Sequence, residues 1–226
     1  MPKTRHIKVY QFSELSDRAK EKAREWYRKG NCEDTYWSES VIDDAATVAG
    51  FLGLDINQEA YKTMGGATKY KPAVYFSGFW AQGDGACVEG TWRASDVKVD
   101  ELKEYAPQDK ELHRIVDGLA ELAKEYPDGH FSVKHRGHYS HSGCTAFDVE
   151  LPTEQENELE YDSPEYKLLQ VKLGEDEETL IELARDFMNW IYKQLKEEWD
   201  YQNSDEQVEE SIRANEYEFL KDGTRA

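Results

Sequence analysis

The sequence predicts an α+β protein, in which amphipathic helices pack on one face of an antiparallel sheet of about six strands and a pair of helices ends the chain. Two observations carry this prediction. Short runs of β-branched and aromatic residues are bounded by turn-forming Gly, Asp and Pro, as in antiparallel strands. Longer segments repeat apolar residues every three or four positions, which is the period of a helix that buries one side.

The first half of the chain is predicted to contain both kinds of element. Ser16 can cap a helix that buries Ala19 and Ala23 and ends at Gly30. The run AVYFSGFWAQGDGACVEGTW predicts a hairpin, because two aromatic and β-branched runs flank Gly-Asp-Gly, a tight-turn sequence. The elements expected here are a strand at 6–12, helices at 17–29 and 36–48, a strand at 52–58, a loop near 64–66 and hairpin strands at 73–80 and 86–92.

The second half is predicted to continue the sheet and then become helical. Pro107 and Pro127 bound a helical pattern, and Ser204 with Gln207 forms a capping box for a last helix. The elements expected here are the helix between these prolines, strands at 130–137 and 145–151, and helices at 175–200 and 205–216. We therefore expect an α+β core at 1–151, an acidic linker at 152–174 and C-terminal helices at 175–226 that pack on the core as one domain.

Composition narrows the class of protein. Aromatic residues make up 12% of the chain, which is typical of a folded protein. No apolar run approaches the roughly 20 residues that span a bilayer, and the first residues lack the apolar core of a signal peptide. Three cysteines, an odd number, do not suit a disulfide framework. These features predict a cytoplasmic protein that does not bind membranes.

The charge of the chain is strongly acidic and unevenly distributed. The net charge is −19, from 47 acidic and 28 basic residues. Residues 1–30 have a net charge of +5, whereas residues 152–226 have a net charge of −14. An acidic surface repels phosphate backbones and attracts basic proteins. Direct binding of nucleic acid is therefore disfavoured, and the acidity serves either solubility or the binding of a basic partner.

The stretch HRGHYSHSGC places His135, His138, His141 and Cys144 at intervals of three. A hairpin with Ser140-His141-Ser142 as its loop and Gly143 as its left-handed residue pairs His135 with Phe147 and His138 with Cys144. His135 then lies on the apolar face as a hydrogen-bonded core histidine. His138, His141 and Cys144 are the candidate ligands of a zinc ion, although their spacing matches no standard zinc module.

Other candidate chemistry is sparse. QGDGAC lacks the Lys and the helix that follow a phosphate-binding loop, so it is read as a turn. Cys87 or Cys144 next to a histidine could act as a nucleophile, but a free cysteine is more commonly a small buried side chain. The sequence contains no serine-hydrolase, metalloprotease or EF-hand motif. The sequence thus favours a protein that is not an enzyme and needs no cofactor.

Four stretches of the chain resemble a family of bacteriophage and prophage accessory proteins, some of which are labelled antitoxin-like. They are YQFSELSDRAKEKAREWYR, YFSGFWAQGDGACVEG, VKHRGHYSHSGC and SDEQVEESIRANEYEFLKDG, and they are spread over nearly the whole chain. The resemblance implies an accessory role inside a bacterial host cell. It implies no catalytic residue.

The hypothesis that joins these observations is a phage-type acidic protein that binds a basic surface on a host nucleic-acid-handling or defence protein, as an anti-CRISPR or other anti-defence DNA mimic does. The acidic side chains expected to contact that partner are Glu175, Asp176, Glu177, Glu178, Glu197, Glu198, Asp200, Asp205, Glu206, Glu209 and Glu210. Three alternatives remain open at this point. They are a zinc-dependent hydrolase, a zinc-stabilised fold built on the same histidine cluster, and an antitoxin. The long amphipathic helix and the aromatic residues also suit a homodimer.

Overall fold

The computed structural model describes residues 7–31 and 36–226. Its elements, in chain order, are β1 (Tyr10–Gln11), α1 (Asp17–Asn31), α2 (Glu39–Phe51), β2 (Leu52–Ile56), β3 (Gln58–Lys62), β4 (Thr68–Pro72), β5 (Val74–Phe76), β6 (Ala86–Val88), β7 (Gly90–Val97), α3 (Val99–Tyr105), α4 (Lys110–Glu125), β8 (His130–His135), β9 (Thr145–Glu150), α5 (Gln155–Glu158), α6 (Pro164–Gln202), α7 (Asp205–Ala214) and β10 (Glu218–Phe219). The predicted α+β class with C-terminal helices is confirmed.

The chain divides into two compact units. The terminal unit consists of residues 1–40 and 195–226, and the central unit consists of residues 41–194. Residues 41–194 contain 30 acidic and 15 basic residues, a net charge of −15, whereas the terminal unit has 17 and 13, a net charge of −4. Most of the acidity therefore belongs to the central unit.

The terminal unit is built around α1 and α7. Ala19 and Ala23 are small enough to let α7 approach α1, and Val208 and Ile212 fill the contact. The predicted N-cap of α7 is confirmed, since the Ser204 hydroxyl accepts a hydrogen bond from the Gln207 N–H. The predicted first strand is wrong in length.

Within the described residues, the strand predicted at 6–12 consists only of β1, which pairs with β10. The chain turns at Phe12–Glu14, where the Glu14 carboxylate accepts a hydrogen bond of 2.8 Å from the Gln11 N–H. That hydrogen bond and the 3₁₀ turn replace further strand pairing. His6, the first residue of the predicted strand, lies outside the described residues.

The central unit contains the main sheet, in the order β2-β7-β8-β9, and each strand is antiparallel to its neighbours. Trp92 of β7 and Phe131 of β8 are buried and stack with ring centroids 5.6 Å apart. Helix α4 packs on β7, as its apolar stripe predicts. The remaining strands form the pairs β1-β10, β3-β4 and β5-β6.

Asp109 connects α4 to α6 within the central unit. One carboxylate oxygen caps α4 by accepting hydrogen bonds of 3.0 Å from the N–H groups of Glu111 and Leu112. The other accepts a hydrogen bond of 2.8 Å from the indole Nε1–H of Trp190, which is buried in α6. A single side chain therefore satisfies three donors, one of which belongs to a buried tryptophan.

The register predicted for the hairpin of β8 and β9 is wrong by two residues. Val133 pairs with Phe147 and His135 pairs with Thr145, whereas we expected Val149 and Phe147 opposite these two residues. Because a shift of two residues preserves the alternation of faces, the apolar face predicted for the strands is retained. The predicted pairing of His138 with Cys144 is lost, because the Arg136 N–H binds the Cys144 carbonyl oxygen at 2.8 Å.

Helix α6 begins at Pro164 rather than near residue 175. The Ser163 hydroxyl accepts a hydrogen bond of 3.1 Å from the Tyr166 N–H, and Pro164 occupies the first turn. The second half of the predicted linker at 152–174 is therefore helical. Gly174 lies inside this helix without interrupting it, and a Cβ atom at this position would have no neighbour within 4 Å.

Candidate functional site

The HRGHYSHSGC motif and the QGDGAC motif meet in the central unit. A Cβ atom on Gly85 would lie 2.5 Å from the Cα of His141, and one on Gly83 would lie 2.7 Å from the Tyr139 ring. Gly83 has a φ of +103°, which L side chains rarely adopt. Both positions therefore require glycine, because the loop at 137–143 packs directly on their backbone.

The connection between β5 and β6 is longer than the predicted four-residue turn. Phe76 pairs with Ala86, so residues 77–85 form the loop. The Asp84 carboxylate accepts hydrogen bonds from the backbone N–H groups of Ala81, at 2.6 Å, and of Trp80, at 2.9 Å, and these bonds lower the pKa of Asp84. Asp84 thus stabilises the loop itself, which accounts for its position between the two glycines.

His141 and Cys144 are the two predicted metal ligands that the structure brings together. Cys144 Sγ lies 3.4 Å from His141 Nε2. The Gly143 N–H donates a hydrogen bond of 3.1 Å to His141 Nδ1, so in the neutral ring the proton is on Nε2 and points to the sulfur. Such a ring can stabilise a thiolate by donating to it, but it has no free nitrogen with which to remove the proton of Cys144.

His135 is hydrogen-bonded, as predicted, but it is half-buried rather than a core residue. Its Nε2–H donates to the Tyr139 carbonyl oxygen at 2.9 Å, and its ring stacks on Tyr75 with centroids 5.0 Å apart. The Glu89 carboxylate accepts a hydrogen bond from the backbone N–H of His135 at 3.1 Å. His135 therefore fixes the start of the loop through its contacts with protein groups.

His138 is exposed and its ring lies beside that of Tyr139. Across residues 7–31 and 36–226, no three His, Cys, Asp or Glu side chains are grouped so that they could hold a metal ion. The loop at 137–143, which we call the histidine loop, is thus organised by packing and hydrogen bonds. The described residues supply no set of ligands for the two zinc alternatives.

Cys87 is also a poor nucleophile in this arrangement. Its thiol is completely buried, and burial is the main cause that raises its pKa to about 12, with smaller contributions from the charges of Cys144 and Glu89. A thiol with this pKa remains protonated near neutral pH, and the thiolate is the reactive form. Cys87 and Cys144 are both free cysteines.

Four of the predicted acidic contact residues interact with groups of this chain. The Tyr126 hydroxyl donates to Asp176 at 2.6 Å, Lys172 Nζ lies 3.9 Å from the same carboxylate, and the other three residues form ion pairs. The pairs are Lys196 with Asp200, Arg28 with Asp205, and Arg24 and Arg213 with Glu209. Partial burial alone would raise the pKa of Glu209, but the hydrogen bond from Arg24 and the two guanidinium charges lower it. Groups of the same chain partly neutralise these four carboxylates, so they would attract a basic partner less strongly.

Glu198 has a weaker internal contact, since it accepts a hydrogen bond of 2.7 Å from the Gln202 side chain. The remaining six predicted contact residues are exposed and form no ion pair with any described residue. They are Glu175, Glu177, Glu178, Glu197, Glu206 and Glu210. Three of them lie in the central unit and three in the terminal unit.

The first half of α6 carries a surface that the sequence analysis missed. We call it the outer face and define it by Leu168, Val171, Glu175, Glu178 and Glu182, which recur at helical spacing and are all exposed. Leu168 is 71% exposed and Val171 is 59% exposed. The opposite side of the helix is buried through residues such as Leu169 and Leu180. The outer face therefore combines apolar side chains with carboxylates that form no ion pair with any described residue.

These features define an acidic α+β protein with an exposed helical surface and, within the described residues, no assembled metal site. Residues 37–205 match the family described as Domain of unknown function (DUF8835), and the chain belongs to that family. The match covers the entire central unit. The comparisons with curated proteins and with solved structures found no match to the chain. None of the helices in the described residues has the length and apolar character needed to cross a membrane.

Proposed function

We propose that the protein is a phage-type interaction protein that works inside a bacterial cell and uses the outer face of α6 to bind a basic surface on a host nucleic-acid-handling or defence protein. The observation that carries the proposal is the presence of Leu168 and Val171 beside carboxylates that pair with no cation in the described part of the chain. Solubility alone would explain the carboxylates. It would not explain two exposed aliphatic side chains on the same helix face, which is the composition of a docking surface.

The two kinds of side chain would contribute differently to binding. Because Leu168 and Val171 are 71% and 59% exposed, burial of the remaining surface against a partner would stabilise a complex by about 1–2 kcal/mol for each residue. Glu175, Glu178 and Glu182 form a row with neighbouring Cβ atoms about 5–6 Å apart, because they are spaced by three and four residues on a helix. Such a row attracts a basic partner and speeds its association, and it is the part of the surface that would imitate phosphates.

The first experiment uses a defined probe, a fluorescent amphipathic helical peptide of Lys and Leu, with polylysine as a probe of charge alone. Dissociation constants are measured by anisotropy at about 50 and 500 mM NaCl. The double variant L168S/V171S keeps the charge of the protein, and we expect it to bind the amphipathic peptide at least about tenfold more weakly while its affinity for polylysine stays unchanged. Equal binding of the amphipathic peptide by wild type and variant would contradict the proposal.

A charge variant tests the electrostatic part. E175Q/E178Q/E182Q should reduce both the affinity and its salt dependence, whereas the matched control E197Q/E206Q/E210Q removes three exposed charges from the terminal unit and should have a smaller effect. Binding that does not change between low and high salt would rule out electrostatic attraction.

The biological partner is then sought in bacterial lysate with wild type and L168S/V171S as paired baits. A protein that wild type retains, that the variant loses and that double-stranded DNA displaces would support DNA mimicry. Retention of the same proteins by both baits would argue against the outer face. An antitoxin role is the same proposal with a toxin as the basic partner.

A further inference from the structure

The hairpin of β3 and β4 is an arm, defined as residues 58–72, that exposes both of its faces. Its two strands pair with each other from Gln58 opposite Pro72 to Lys62 opposite Thr68. Tyr70 is 67% exposed, and Met64 at the tip is fully exposed. A two-stranded hairpin without a buried face is only marginally stable, so an arm of this kind is best explained by a surface that covers it.

The root of the arm is fixed. The Ala73 N–H donates to the Asn57 carbonyl oxygen at 2.7 Å, the Asn57 N–H donates to Glu89 at 2.8 Å, and the Glu89 N–H donates to Ala73 at 3.0 Å. This ring of backbone hydrogen bonds holds both ends of the arm to β5 and β6. The arm is therefore presented in a defined position and could dock without first becoming ordered.

The arm is a basic segment in an acidic unit. It contains Lys62, Lys69 and Lys71 and one acidic residue, Glu59, which gives it a net charge of +2, whereas the central unit has a net charge of −15. Lysine on an edge strand can simply prevent unwanted strand pairing. That role does not account for the exposed Tyr70 and Met64, which increase rather than reduce the tendency to associate.

We infer that the arm of one copy of this chain docks on the outer face of a second copy. Lys62 and Lys69, together with Lys71, which also lies 3.7 Å from Glu59 within the arm, complement Glu175, Glu178 and Glu182. The tyrosine and methionine side chains of the arm complement Leu168 and Val171. Two such contacts related by a twofold axis would close a dimer. The inference rests on the proposed function, because it gives the outer face a second occupant. Self-association would then cover the face until a basic partner displaces the arm.

Sedimentation velocity of the purified chain alone tests the inference. At about 20 mM NaCl we expect the mass-average to rise from monomer towards dimer with increasing concentration, and at about 500 mM NaCl we expect monomer. K62E/K69E/K71E and E175K/E178K/E182K should each weaken the dimer at least about tenfold. The matched control K98E/K124E/K134E changes the net charge by the same amount at exposed lysines outside the arm, and it should associate much as wild type does.

Mixing the two variants gives the decisive result. In the mixture, a lysine arm meets a glutamate face and a glutamate arm meets a lysine face, so a heterodimer should form although each variant alone is monomeric. A wild-type chain that is monomeric at every salt and concentration would overturn the inference. A dimer that survives both triple variants, or a mixture that stays monomeric, would overturn it as well. These results need no partner, so they are distinct from failure of the proposed function.

Discussion

Replacing Asp109 with alanine should lower the free energy of unfolding by about 2–4 kcal/mol, a large effect for one half-exposed carboxylate. The magnitude follows from the three donors that Asp109 satisfies. Loss of the cap of α4 costs about 1 kcal/mol. Loss of the acceptor adds about 1–3 kcal/mol, since the indole N–H of the buried Trp190 would be left without the hydrogen bond that it makes to Asp109.

Two further variants separate these contributions. D109N keeps an oxygen for the cap but presents an amide N–H₂ to the indole N–H, so it should cost about 1–3 kcal/mol through the indole alone. W190F removes the indole donor. In the W190F background, D109A should cost only the cap, about 1 kcal/mol, and the difference between the two backgrounds is the coupling energy of the pair.

The measurement is urea unfolding followed by far-ultraviolet circular dichroism, which does not depend on the tryptophan that is replaced. The slope with urea should remain constant across wild type and the four variants if the mutations change stability and not the extent of unfolding. The reasoning would be refuted by D109A lying within about 0.5 kcal/mol of wild type, or by D109A costing the same in both backgrounds.

Two other predictions concern the glycine turn and the buried thiol. G85A should destabilise the protein by about 1–3 kcal/mol, because the added Cβ meets the backbone of His141. G174A should instead stabilise the protein by up to about 1 kcal/mol, because alanine favours the helix and its Cβ meets no neighbour. Urea unfolding measures both changes, and equal effects of the two substitutions would contradict the assigned contacts. The pKa of Cys87 rises from 9.0 in the unfolded chain to about 12 in the folded protein. The protonated thiol therefore contributes fully to the free energy of unfolding below pH 9.0, and this contribution is lost as the pH rises towards 12, because the unfolded chain loses the proton first. The free energy of unfolding should fall over this range, and less steeply in C87A; an identical fall in both proteins would remove Cys87 as a cause.

Sequence patterns predicted the elements that have one buried side, and the reason is physical. Helix α1, helix α4 and the strands of the main sheet each bury a single face, so their apolar residues repeat at the period of the element. The arm was missed because both of its faces are exposed, which leaves no alternation to detect. Only its turn, near Gly66, was expected.

The candidate site shows a different limit of sequence patterns. Ser163 and Pro164 mark the start of α6 in the sequence, but the acidic composition around them predicts a linker that includes Leu168 and Val171. The register of β8 and β9 was wrong because two-residue shifts leave the faces unchanged, so the loop conformation must decide. Here the loop is set by Gly137, whose φ is +102°, and by contact with a turn about fifty residues earlier in the chain.

The contact between that turn and the histidine loop has a consequence for exchanging parts of this protein with relatives. Because Gly83 and Gly85 leave room only for the backbone that now lies against them, the two segments form a matched pair even though they are far apart in the sequence. A chimera in which either segment is replaced by one that lacks these glycines, or that has a loop of another length, would place atoms where there is no space. Recombination within this family should therefore preserve the two motifs together, and a designer who alters one must redesign both.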